Sequence, residues 1–116
     1  MAVTFDGLLG LKVEQELVEV AGLGKVCVRG MTGGQRDEFE VESQRRKTAK
    51  PWPLPVLFRA RLLQACCHDE AGKPLIPKDK VEAVSYLPAA PLEPLVEAAM
   101  RLSGMGPKDE EEAEKN

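Results

Sequence analysis

The sequence predicts a small α+β domain, with an N-terminal β-hairpin or small sheet, three to four helices and a disordered acidic C-terminal tail. Two valine-rich segments alternate apolar and polar side chains at the period of a strand. Further on, apolar residues recur at helical spacing, and the net charge is confined to the end of the chain. Residues 1–104 read as one domain and 105–116 as a flexible tail. A length of 116 residues with 43% hydrophobic content fits one small core.

Taken in order, Phe5, Leu8, Leu9 and Leu11 make one helical turn or an apolar hook. Glu14–Val20 and Lys25–Arg29 follow as strands, with Val18 and Val20 alternating with Glu19, and Val26 and Val28 flanking Cys27. The short connector Ala21-Gly22-Leu23-Gly24 makes them a hairpin. Thr32 and Gln35 have the spacing of a capping box, opening a charged surface helix to about Arg46 with Phe39 as its apolar anchor. Lys50-Pro51-Trp52-Pro53-Leu54-Pro55 then imposes an extended strip.

Val56–Cys67 has the clearest helical pattern. Val56, Phe58, Leu62, Leu63, Ala65 and Cys66 form its apolar face, with Arg59 and Arg61 pointing elsewhere. His68–Lys73 reads as a polar turn, and Pro77 to about Tyr86 as a shorter helix with Val81 and Val84 inward. The last helix runs from near Pro91 to Ser103, because Pro94 is tolerable only in the first turn, and Gly104 suits its stop.

Composition narrows the function classes. No apolar run reaches the length of a membrane span. The start MAVTFDGLLGLKVEQ has no basic region and breaks at Asp6 and Gly7, so no secretory signal is expected. Three cysteines, two adjacent, favour a reducing compartment over a disulfide framework, and the expected location is cytoplasmic. Residues 1–104 balance acids and bases, whereas the last twelve carry two lysines against five carboxylates. A neutral body has no broad grip on nucleic acid or anionic lipid. The basic cluster Arg45-Arg46-Lys47 with Lys50 follows three glutamates and reads as cations at a helix end.

Catalytic and metal chemistry are not expected either. Cys27, Cys66, Cys67 and His68 are the only soft-ligand set and lack a C-x₂-C pair, and adjacent helical residues diverge. A single histidine, without a nucleophile motif or a glycine-rich phosphate loop, implies no enzyme and no cofactor. What remains is contact with a partner. Leu92, Leu95, Val96 and Met100 are the candidate wall of an apolar groove, although the same spacing also serves a core face. Trp52, between prolines, is either an exposed anchor or folds back over the core. Hairpin edges offer a route to self-association.

Several motifs recur in a telling order: F-D-G-L-L-G-L (Phe5–Leu11), V-C-V-R-G-M-T-G (Val26–Gly33), Gln35-Arg36-Asp37-Glu38-Phe39, R-A-R-L-L-Q-A-C-C-H-D-E-A-G-K-P-L (Arg59–Leu75) and A-A-M-R-L-S-G-M (Ala98–Met105). In this series they resemble the tail assembly chaperones of long-tailed bacteriophages. The proline strip Lys50–Pro55 departs from that pattern. The resemblance implies a protein of the host bacterial cytoplasm, phage- or prophage-encoded, that binds the tape-measure protein and keeps its hydrophobic stretches soluble. It implies absence from the mature virion. It also implies a longer form, made by −1 frameshifting, that recruits tail-tube protein. Gly106-Pro107-Lys108 would permit such a slip if encoded GGC-CCA-AAG. The competing reading is a structural head–tail connector or tail-completion protein that stays in the particle.

Overall fold

The computed structural model describes residues 2–115. Helix α1 (Phe5–Leu9) starts where Thr4 Oγ1 accepts the Gly7 N–H at 3.0 Å. Strands β1 (Gln15–Val20) and β2 (Gly24–Arg29) form the predicted antiparallel hairpin, with Leu17 opposite Cys27 and Val18 opposite Val26. The period-2 pattern buries Val20, Val26 and Val28 and leaves Gln15, Leu17 and Glu19 exposed.

Helix α2 (Gly33–Lys47) opens on the capping box predicted for it. Thr32 Oγ1 accepts the Gln35 N–H at 3.2 Å, and Gln35 Oε1 accepts the Thr32 N–H at 2.9 Å. Phe39 is its buried anchor. After the proline strip comes helix α3 (Phe58–Cys66), two residues later than predicted, because Leu57 sits in the left-handed region at φ 53°. Helix α3 is central: Phe58, Leu62, Leu63 and Cys66 are fully buried, and it touches helices on several sides.

Two features of this region differ from the sequence reading. The helix stops at Cys66, and Cys67–His68 form a third strand, β3, antiparallel to β2 with Val28 opposite Cys67 and Cys27 opposite His68. Two residues are too few to show alternation, so their pairing is visible only in space. Arg61, predicted to point away from the core with Arg59, is buried instead. Its guanidinium lies 4.2 Å from the centre of the Phe39 ring and donates to Ser43 Oγ (2.8 Å) and to the carbonyls of Val56 (3.0 Å) and Phe39.

A 3₁₀ turn at Lys78–Lys80 leads into α4 (Val81–Ser85), with Val81 buried. Helix α5 (Ala89–Leu102) begins two residues before Pro91, so Pro94 stands inside it and removes the donor that Ala90's carbonyl would use. Packing compensates: α5 lies across β1, β2 and α3, with Leu95, Val96, Ala98 and Ala99 buried. Gly104, at φ 70°, stops it as predicted.

Residues read from sequence as a tail without structure are laid out as a further helix, α6 (Pro107–Glu114). Pro107 occupies its first position, and Asp109 Oδ2 accepts the Gly106 N–H at 2.7 Å. The fold is α+β, a three-stranded antiparallel sheet of order β1-β2-β3 with six α-helices among the described residues. The count exceeds the predicted three to four by α1, read from sequence as one turn or an apolar hook, and α6, read as tail. One side of the sheet carries α5, and β1 pairs with β2 alone.

The junction after β2 is tight. Gly30 donates to the Glu14 carbonyl at 3.0 Å, and Met31 N–H donates to Ser103 Oγ at 3.0 Å. A Cβ on Gly30 would overlap the Leu102 carbonyl, where neither backbone can yield cheaply. Gly30→Ala is therefore expected to cost about 1–3 kcal/mol, measured by urea denaturation, with Gly33→Ala, which meets nothing, as the control.

Candidate functional site

The soft-ligand residues do not converge. Cys27 and His68 are opposed across β2 and β3, half-exposed, whereas Cys66 is buried with Sγ 3.8 Å from Ser103 Oγ. His68 Nδ1 lies 2.8 Å from the Cys66 carbonyl, which can only accept, so Nδ1 carries the proton. Among the described residues no group of three His, Cys, Asp or Glu side chains is placed to hold a metal. Burial pushes the Cys66 thiol up and, helped by the two neighbouring thiols, pushes Cys67 up to about 12.

Arg45, Arg46 and Lys47 of the basic cluster are engaged within the molecule. Glu42 receives Arg45 Nε at 2.7 Å and Arg46 Nε at 2.9 Å. Arg46 also donates to the Pro55 carbonyl at 3.0 Å and accepts the Leu54 N–H on its own carbonyl at 2.8 Å, fastening the proline strip to α2. Lys47 Nζ donates to the carbonyls of Glu112 (3.2 Å) and Lys115 (3.1 Å) at the end of α6. Arg61 is lowered to about 10, chiefly by burial and then by the nearby Arg46 and Arg45 charges, and stays charged at neutral pH.

The predicted partner-binding residues are divided by the fold. Leu95 and Val96 are core residues, 3% and 4% exposed, so neither is a free surface in this conformation. Leu92 is half-buried; with the edge of Val96 it lines a groove of about 200 Å³ between α3, α4 and α5. Leu57, Phe58, Leu63, Val84 and Leu87 are among its other apolar lining residues. Met100 is half-buried and outside that groove. Trp52 is 78% exposed on the proline strip and does not fold back over the core.

Another exposed apolar surface lies at the N-terminal arm. Helix α1 has no buried residue, and Phe5, Leu8 and Leu9 fall at i, i+3 and i+4, one continuous stripe. Phe5 is 72% exposed, Leu9 67%, and Leu11 just beyond is 76%. Leu17, on edge strand β1, is a separate exposed apolar residue, 65% exposed. The sequence showed this arm as apolar; its failure to join the core is what only the fold reveals. No helix of the described residues is long and apolar enough to cross a membrane.

In comparisons with known proteins, no family model, no curated protein and no solved structure matches the chain.

Two outcomes test the electrostatics and burial described here. Arg45 and Arg46 hold the Glu42 carboxyl down at about 2, below its ordinary 4.5. Because the folded state favours the carboxylate, its stabilisation is present above about pH 4.5 and is lost as pH falls through about 2. Glu42→Gln should flatten the stability profile across that window and cost at most about 1 kcal/mol at neutral pH, since the pair is partly solvated. A thiol reagent at pH 8 should modify Cys27 rapidly, and Cys66 and Cys67 only when urea unfolds the chain. Three equally fast thiols would contradict the burial.

Proposed function

We propose that this protein is a tail assembly chaperone of a long-tailed bacteriophage or prophage, a non-catalytic protein that holds the tape-measure protein soluble until tail-tube subunits assemble around it. The observation carrying the reading is the apolar arm Phe5–Leu11, which the chain displays outside its core. An apolar stripe without an intramolecular partner is costly in water unless another chain covers it. A long, largely helical client has amphipathic faces of matching period. The same residues open the motif series that resembles the family.

On this reading the client lies against α1 and Leu17, with Leu11 extending the contact. The α3–α4–α5 groove at Leu92 takes a further apolar side chain, and Trp52 is a peripheral anchor. The protein acts in the host cytoplasm and is absent from the finished virion. A longer frameshifted form, slipping near Gly106–Lys108, brings tail-tube protein to the same complex.

Co-expression is the test. The chain should raise the soluble yield of the tape-measure protein and co-purify with it. A variant combining Leu8→Asp and Leu9→Asp should lose both effects while its stability moves by no more than about 1 kcal/mol, because exposed positions contribute little to folding. Unchanged client yield with the unmodified chain would refute the chaperone reading. Loss of folding in the variant would refute the description of α1 as unpartnered.

A further inference from the structure

Helix α6 is held to the body almost entirely by charge. Arg36 Nη2 meets Asp109 Oδ1 at 3.1 Å, Arg59 Nε meets Glu110 Oε2 at 2.8 Å, and Lys47 Nζ gathers two carbonyls at its last turn. Arg36 also grips the turn before it, donating to the Ser103 carbonyl at 3.2 Å. The apolar share is small: α6 has no buried residue, and Ala113 is its one hydrophobic side chain against the core. Beside it an open gap of about 230 Å³ remains, with Phe39, Phe58, Met105 and Ala113 on its apolar side and Glu40 and Lys47 among its polar lining. The surface under α6 thus presents two aromatic rings and three cations, two of them also paired outside α6 (Arg36 with Glu40, Arg59 with Glu93), and the acidic helix fills it incompletely.

From this geometry we infer that the α2–α3 face is a docking site for an acidic amphipathic helix of another protein, with α6 as its displaceable occupant in cis. Charge complementarity fixes the partner's chemistry: carboxylates spaced like Asp109 and Glu110 to meet Arg36 and Arg59, and a bulky apolar residue in place of Ala113 to fill the gap. An eight-residue helix is too short to persist alone, and exposed ion pairs hold it weakly, so α6 lifts readily. A partner helix that fills the space over Phe39 and Phe58 gains apolar contact that α6 does not make. This site is separate from the arm at Phe5–Leu11 and does not rest on the chaperone reading.

The probe is a fluorescent peptide of residues 104–115 with leucine in place of Ala113, titrated against the full chain. Asp109→Asn with Glu110→Gln in the protein loosens α6 and should tighten peptide binding by about tenfold relative to the unmodified chain. Ala113→Leu in the protein should fill the gap in cis, raise Tm by several degrees and block the peptide. A peptide with its carboxylates replaced by amides should not bind, and Arg59→Ala in the loosened protein should weaken the acidic peptide by about tenfold. Far-UV circular dichroism confirms that each variant is folded. Equal binding to the loosened and Ala113→Leu chains, or equal binding of the amide peptide, would overturn the proposal. Dimerisation of the loosened variant without affinity for the peptide would overturn it in favour of exchange of α6 between copies.

Discussion

The contact on which the rest of this molecule depends is the stack of Arg61, Phe39 and Phe58. Phe39 and Phe58 meet edge to face with ring centres 5.2 Å apart, and the Arg61 guanidinium lies over the Phe39 ring. This cluster joins α2 to α3, and α3 in turn touches α4, α5 and α6. Burying a guanidinium without a carboxylate partner is expensive. Here the expense is offset by backbone carbonyls of Phe39 and Val56, by Ser43 and by the face of an aromatic ring. Ser43 Oγ itself donates to the Phe39 carbonyl at 3.1 Å, so the polar groups in this contact are mutually satisfied.

With α3 fixed, the remaining layers have little freedom. The inner valines of the hairpin meet α5, the two residues after α3 complete the sheet, and the tight passage at Gly30 sets the hairpin against the end of α5. The core that results is small and one-sided. One face of the sheet stays in water with Leu17, and α1 finds no place in the core. A domain that spends its apolar residues this way trades some folding stability for surface that another chain can cover.

The charges have two separate jobs. Near the end of α2 they are internal fasteners, with Glu42 drawing Arg45 and Arg46 together and Arg46 tying down the proline strip. Along the α2–α3 face, Arg36, Arg59 and Lys47 form a cationic rim whose complement is the acidic end of the same chain. The net charge of the sequence and its placement in the last residues thus acquire a structural role.

Local chemistry determined a good part of this. The alternation at Val18–Val20 and Val26–Val28, the reciprocal caps of Thr32 and Gln35, and the stop at Gly104 each rest on interactions within a few residues, and each stands where the sequence places it. Tertiary structure decided the rest. Arg61 reads as solvent-facing because of its charge, and only the arrival of Phe39 and Ser43 from α2 gives it a buried home. Cys67 and His68 become a strand because β2 offers an unpaired edge, while Leu95 and Val96 become core because the sheet lies beneath them. The apolar stripe at Phe5–Leu9 is legible as a stripe, but whether it is core or surface depends on which other faces reach it. A residue's neighbours along the chain fix its local conformation; its neighbours across space fix whether it is buried and free to bind.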